Sequence, residues 1–464
     1  MARDATEVTV YRASWVLPMS APAIPDGAVA VGGDRIVFVG AAADAPHGQL
    51  IDLGDAALLP GLVNVHTHLE LTPLRHLLEG LDFAQWIRAL TTLRRTELAD
   101  VADLSVGIRL GIDEGLLRGI TTYADTSDTA TPVVTAMIGL GVRGIVYKEV
   151  FGPDPLQCDE SMRQLREAVQ ELRTHATESV RIGVSPHAPY SVSRQLFGAT
   201  AAFALSEALP MAVHLAESAF EEALVIRGEG PYAESWASRG IATSNARARS
   251  SVALLHDAGA LRARPLIIHG VRVDPADIAL LADAGCAVAH CPVSNARFGH
   301  GIAPLREMLD AGLAVGIGTD SVASNNRMDV LDEARIAHLM AGARTGSWQA
   351  FPAARALWHC TAGGAEALRL FRGLGTLAVG APADLCAFGL DGLAAQPLVD
   401  VADALVHGVA GSPARLTVAA GMIKVLDGAV VGRPDAAMDR LRLRDIGARL
   451  TAARARLLAP DARR

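Results

Sequence analysis

The stretch that decides the fold is Pro60-Gly61-Leu62-Val63-Asn64-Val65-His66-Thr67-His68. Leu62, Val63 and Val65 form a short apolar, β-branched-rich run that reads as a buried strand, and it closes on two histidines one residue apart. On a strand, residues i and i+2 share a face, so His66 and His68 project together. Two imidazoles aimed at one point from a rigid strand end supply half of a metal site. The other half has to come from elsewhere in the chain.

Outward from this run, apolar β-rich segments recur near 62–68, 120–125, 142–149, 181–187, 211–215, 265–269, 286–290 and 314–319. Helix-like stretches such as 161–173 and 275–284 lie between them. Eight strands alternating with helices predict an α/β fold, a (β/α)8 barrel. Near the N-terminus, β-like runs at Val8–Tyr11, Val29–Val31 and Ile36–Val39 alternate with glycine turns, and short strands return at Asp384–Phe388, Leu416–Ala419 and Met422–Val425. The two β-rich ends, 1–58 and 375–435, read as one small β-sandwich beside a barrel over 59–374, followed by a helical tail over 436–464.

Two segments carry a choice. The connection 218–264, with Tyr232 and Trp236, is longer than usual and reads either as a lid over the barrel mouth or as an insertion remote from it. The tail sets many arginines around Leu441, Leu443, Leu450 and Leu457, which fits a surface helix docking its apolar stripe better than a nucleic-acid arm.

Composition narrows the function classes. The chain has 464 residues, half of them apolar and a fifth charged, as in a compact enzyme. A net charge of -8 argues against a nucleic-acid partner. No apolar run approaches the ~18–20 residues that span a bilayer, and an N-terminus without a signal-like apolar core leads to an expected cytoplasmic location. The five cysteines are scattered with no C-x-x-C pair, against both a disulfide framework and a thiolate zinc site.

In a (β/α)8 barrel the chemistry sits at the C-terminal ends of the strands. His66 and His68 end the first predicted strand, His214 the fifth, His269 the sixth and Asp320 the eighth. Singly, each has an ordinary alternative: a strand-end histidine is often just a satisfied polar residue, and Asp320 could cap a helix. Jointly, they suit one borderline-hard divalent ion such as Zn²⁺ or Fe²⁺ with an open position for water.

With these residues in place the chain resembles the amidohydrolase superfamily, in its mononuclear deaminase branch, over nearly the whole length. Pro60-Gly61 before His66-Thr67-His68 is similar to the family's entry to the barrel. His290-Cys291-Pro292-Val293-Ser294-Asn295, and Gly318-Thr319-Asp320-Ser321 with Ser324-Asn325-Asn326, are similar to its last two strands. Gly375-Thr376-Leu377 to Ala383-Asp384-Leu385 resemble its return to the sandwich. The resemblance implies His66, His68, His214 and Asp320 as ligands of one metal, zinc foremost and iron the alternative. It implies His269 beside the attacking water or the leaving group, Asp320 as proton acceptor, and Glu217 as a proton-shuttling glutamate. The implied reaction is hydrolytic deamination of an amino-substituted heterocycle, with loss of ammonia. Binuclear relatives bridge two metals through a lysine on the fourth strand; that strand here ends Ser185-Pro186-His187, and Lys148 ends the third.

The Ser185-Pro186-His187-Ala188-Pro189-Tyr190 segment resembles deaminases of S-adenosylhomocysteine and methylthioadenosine, which implies that His187 faces substrate. Phe83 and Trp86 follow at that branch's spacing and would wall the base or ribose, with helix packing the ordinary alternative for Trp86. Glu149, Ser321 and Asn325 are further expected substrate contacts. Where those enzymes carry an acid that grips ribose hydroxyls, this chain has Arg95. Together with the His66-Thr67-His68-Leu69-Glu70-Leu71 opening, this shifts the expectation towards an aminodeoxyfutalosine-like substrate, whose carboxylate Arg95, Arg143 or Arg297 would pair. Other readings are a triazine-type hydrolase, some of which replace the Glu217 type of residue, and a retired barrel serving as a scaffold. The expected partner is a small molecule, and members of this branch often form homo-oligomers.

Overall fold

In the computed structural model, which describes residues 8–369 and 372–459, eight parallel strands follow one another where the sequence predicts them. They are β1 (Leu62–Thr67), β2 (Ile120–Ser127), β3 (Arg143–Val150), β4 (Val180–Pro186), β5 (Ala212–Leu215), β6 (Leu266–His269), β7 (Ala287–His290) and β8 (Ala314–Ile317). Strands β1–β4 and β5–β8 pair in order within two parallel sheets. The Val184–Met211 bridge joins β4 to the start of β5. At the other seam the Asp320 N–H donates to the His66 carbonyl at 3.0 Å, so β8 meets β1 and the barrel closes.

The intervening helices form for local reasons. Cys158–Arg173 buries Met162, Leu165, Val169 and Leu172, a three-and-four spacing that lays one apolar stripe on the barrel. Pro275–Asp283 begins with proline in its first turn, and Asp274 closes a capping box with Asp277.

The chain ends form a separate sheet. Val8–Val16 pairs antiparallel with Ile24–Gly32, which pairs with Arg35–Ala41. Ala56–Pro60 pairs antiparallel with Leu385–Gly389, so the two ends of the chain are joined by backbone bonds. Leu416–Ala419 and Met422–Leu426 extend the same sheet. Among the described residues these strands hydrogen-bond as one nine-stranded sheet over a core that includes Tyr11, Val29, Leu58, Leu385 and Val418. Three strands were not expected: Gln49–Asp52, Ala56–Pro60, which runs past residue 58, and the two-residue Ala429–Val430. The second is hidden because only Gly61 separates it from β1, making one apolar run of two strands. A Cβ at Gly61 would stand 2.2 Å from the Thr121 hydroxyl, so the chain passes there only as glycine.

The tail helix Ala436–Leu458 docks on Val101–Leu117. Ile446, Leu450 and Ala453 are buried and Leu443 and Leu457 partly so, whereas Leu441 is exposed. Its arginines face acids: Arg442 lies 2.8 Å from Asp103, and Arg449 also pairs with Asp103. Arg433, just before the helix, reaches both Asp113 and Asp439 at 2.7 Å. Those charges serve docking.

Candidate active site

Every strand-end residue singled out from the sequence lies at the same end of the barrel. The ring centroid of His66 is 4.8 Å from that of His68, 5.0 Å from His214 and 5.9 Å from His269. The convergence does not rest on a regular strand: the register of β1 against β2 breaks between Asn64 and Thr67, and His68 follows the strand's last residue. His66, His68 and His214 offer nitrogens that all lie within 4.8 Å of one another, and so do the donor atoms of His66, His269 and Asp320.

The donor set fits a cation. His214 donates from Nδ1 to the His187 carbonyl (3.2 Å), which fixes its tautomer and presents Nε2 to His68 Nε2 at 3.3 Å. The buried Nε2 of His66 lies 3.2 Å from Asp320 Oδ1 yet has no hydrogen-bond partner among the described residues. Burial holds His66 at about 4 and also depresses His68 and His214, so the three imidazoles are neutral and keep lone pairs for a metal.

Asp320 sits at φ +55°, a left-handed backbone strained for a residue with a Cβ. Its Oδ2 accepts hydrogen bonds from Ser294 and Ser324, both at 2.6 Å, which leaves Oδ1 towards His66 (3.2 Å) and His68 (3.6 Å). Burial alone would raise its pKa; the neighbouring imidazoles, His66 first, outweigh that and hold it well below the usual carboxylate range.

Across the cluster, Glu217 is buried with Oε1 3.5 Å from His269 Nε2 and 3.5 Å from His300 Nε2. Burial would raise this carboxyl too, and His269 and His300 bring it below its ordinary value. The turn that carries it passes through Ala216 at φ +54° and is held by buried Glu221, which accepts the N–H groups of Ala216 (2.7 Å) and Glu217 (3.2 Å). His269 also has positive φ (+74°), and its Nδ1 lies 3.0 Å from Asn295 Oδ1.

These groups open into one cavity of about 810 Å³ lined by His68, His187, His214, Glu217, His269 and Asp320. Phe83 and Trp86, stacked at 6.0 Å, line one side. His187 is anchored through Nδ1 to the Ser191 hydroxyl at 2.6 Å. Glu149 lines the cavity from the end of β3; its Oε1 has no hydrogen-bond partner among the described residues, and burial, with Glu70 and Asp128 nearby, raises its carboxyl well above the ordinary range. Part of the 218–264 segment forms a wall: Tyr232 stacks on Tyr190 at 4.2 Å and Trp236 donates to the Tyr190 carbonyl at 2.9 Å. Of the two sequence readings, the remote insertion is set aside.

Other expected contacts fall elsewhere. Asn325 does not line the cavity; its amide nitrogen donates to the Thr319 carbonyl (2.8 Å) and to Glu333. Ser321 does line it, with its hydroxyl oxygen capping the helix Val322–Asn325. Arg143 begins β3, at the opposite end of the barrel, and is held by Asp384 at 2.6 Å. Arg297 is tied to Glu79 and the Ala323 carbonyl. Only Arg95 of the three reaches the cavity, in the company of Arg88 and Arg239. Ser294, Ser324, Glu221 and His300 were not singled out; serines and a helix-start glutamate carry no metal-site spacing, and His300 was legible only as an odd residue between Gly299 and Gly301.

The profile of the amidohydrolase family matches residues 57–424. The chain is 34% identical over 429 residues to a 5-methylthioadenosine/S-adenosylhomocysteine deaminase of Moorella thermoacetica, covering 89% of this chain and 94% of that protein. It is 30% identical over 420 residues to a protein of the same name from Halobacterium salinarum, covering 89% and 92%. Among solved structures, an adenosine deaminase from Xanthomonas campestris with bound zinc superimposes with a TM-score of 0.85 at 28% identity, over 96% of this chain and 98% of that one. An atrazine chlorohydrolase from Arthrobacter aurescens complexed with zinc gives 0.80 at 25% identity, over 96% and 100%. The chain belongs to the amidohydrolase family. Within it, the chain falls in the deaminase branch, as a hydrolase of C–N bonds with a divalent-metal site and a small-molecule substrate. Among the described residues no helix is long and apolar enough to cross a membrane.

Proposed function

We propose that the protein hydrolytically deaminates a 6-aminopurine nucleoside, with His66, His68, His214 and Asp320 holding one zinc ion. The observation that carries this reading is the facing of two groups in one cavity: neutral imidazoles around Asp320 on one side, and the Glu217–His269 pair on the other. Zinc is favoured over iron, which accepts the same ligands, because the adenosine deaminase and the atrazine chlorohydrolase above hold zinc. Such an ion lowers the pKa of water at its open position from 15.7 towards ~7.

The chain's own residues supply the rest. Asp320 accepts the proton of the attacking water at Oδ1, because Oδ2 is engaged by the two serines. Glu217 delivers a proton to the ring nitrogen beside the attacked carbon, so charge does not build there. His269, fixed by Asn295, stands beside the leaving amine. His187 presents Nε2 to the purine because Nδ1 is anchored. Phe83 and Trp86 flank the ligand, and Glu149, whose carboxyl burial shifts towards its neutral form, faces it.

Arg88, Arg95 and Arg239 line the cavity without a carboxylate partner among the described residues. This favours a nucleoside whose far end bears a carboxylate, as S-adenosylhomocysteine and aminodeoxyfutalosine do and methylthioadenosine does not. The test is ammonia release by zinc-loaded protein from these three, adenosine and a chlorinated triazine. Release from the carboxylated nucleosides, at lower KM than from methylthioadenosine, is expected. Turnover of the triazine alone would replace this reading with a chlorohydrolase.

A further inference from the structure

We infer that His300 is a positioning residue for the proposed deamination: it holds Glu217 opposite His269 and returns a proton to that carboxyl from a second cleft. The inference rests on the role proposed for Glu217 and adds a residue that no relative's name or family motif assigns.

Four observations converge. First, His300 Nε2 and His269 Nε2 stand at the same distance, 3.5 Å, from the same oxygen, Glu217 Oε1. Second, that buried nitrogen of His300 has no hydrogen-bond partner among the described residues, so Glu217 is the group it is aimed at. Third, the imidazole is clamped by two rings, edge-on to Phe83 at 4.5 Å and stacked on Phe298 at 5.5 Å. Its backbone N–H donates to the Asn295 carbonyl at 3.0 Å, while the Asn295 side chain lies against His269, so one residue sets both histidines. Gly299 (φ +65°) and Gly301 (φ +116°) provide the backbone turns on either side that a residue with a Cβ would resist.

Fourth, His300 does not line the substrate cavity. It lines a separate polar cleft of about 390 Å³, together with Ser250, Ser251, Arg272 and Asp277. His300 thus meets Glu217 through its ring and also lines a space separate from the one a substrate would fill. The proton balance is simple. Once Glu217 has given its proton to the ring nitrogen, the N–H bond at His300 Nε2 breaks and an O–H bond forms on the Glu217 carboxylate, while the other ring nitrogen of His300 takes up a proton from solvent in the cleft. Glu217 is thereby reset while the main cavity is still filled.

The test compares zinc-loaded wild type, His300→Ala, His300→Gln and Glu217→Gln on the best purine nucleoside substrate, with metal content and thermal midpoint recorded for each. His300→Ala is expected to lose at least about tenfold in kcat, at the low end of acid–base contributions, with KM within about twofold. Added imidazole is expected to restore several-fold of that loss by entering the vacated space from the cleft. His300→Gln, which keeps volume and a donor but cannot relay a proton, is expected to stay slow. Wild-type kcat in either His300 variant overturns the inference, as does a loss confined to KM. If His300→Ala does not fold, His300→Gln alone decides. Full activity in Glu217→Gln would instead overturn the role given to Glu217.

Discussion

Removing the Ser324 hydroxyl should slow the chemistry without emptying the metal site. Ser324 and Ser294 donate to the same atom, Asp320 Oδ2, at 2.6 Å each, and Oδ1 is left to the imidazoles. A hydrogen bond to a charged group contributes about 1.5–3 kcal/mol, and each 1.36 kcal/mol is about tenfold in rate. One bond is therefore tenfold to roughly a hundredfold in kcat if it serves only to hold the reacting carboxylate. Because the partner hydroxyl remains on the same oxygen, Ser324→Ala alone should fall at the low end, near tenfold. Ser294→Ala together with Ser324→Ala frees Oδ2 entirely and should cost more than about a hundredfold, exceeding the product of the single effects. The assay is initial-rate ammonia release at saturating substrate, paired with metal per protein. Metal content should stay at the wild-type level, because neither serine is a ligand. Wild-type kcat in the double variant would refute the reasoning. So would a loss that tracks metal content alone, which would make the serines part of the metal's support.

Asp320→Asn should abolish turnover with the thermal midpoint within a few degrees of wild type; measurable activity would remove Asp320 as proton acceptor. His187→Ala should reduce kcat/KM with little loss of zinc, read by metal analysis, and parallel loss of zinc would make His187 a ligand. Replacing Arg95 and Arg239 by alanine should raise KM for carboxylated nucleosides several-fold and leave methylthioadenosine unchanged; equal effects on both would deny a carboxylate contact. Leu450→Ala, in the fully buried stripe of the tail helix, should lower unfolding free energy by about 2–5 kcal/mol, seen in denaturant titration with kcat retained; a change under about 0.5 kcal/mol would mean that the tail does not dock as described.

Much of this architecture was legible in the sequence, for definite reasons. Barrel strands are short β-branched runs bounded by helices, so their positions survive even where their ends shift by a residue or two. Metal-site candidates were legible because the fold places them all at one kind of location, at or just beyond the C-terminal ends of strands. The same rule shows why Arg143 was a poor candidate: it opens β3, and residues at strand starts face the other end of the barrel. Asn325 was misread because a polar residue beside Asp320 can serve substrate or interior equally well, and only its contacts with Thr319 and Glu333 decide. His300 and Ser294 escaped because their roles depend on partners distant in the chain, which no local spacing records; Ser324 stands four residues after Asp320, but a serine there caps or turns the chain as readily as it donates to a carboxylate. Strand Ala56–Pro60 escaped for the opposite reason: its pattern merged with its neighbour's.

The central claim is that this chain replaces an amino group on a purine by an oxygen from water. It is tested most directly by incubating zinc-loaded protein with S-adenosylhomocysteine or aminodeoxyfutalosine in heavy-oxygen water, and measuring ammonia together with the label in the product base. The account predicts equimolar ammonia and 6-oxopurine product, with one solvent oxygen in each product molecule. Ammonia without incorporated label, or an unchanged purine beside full metal loading, would contradict it.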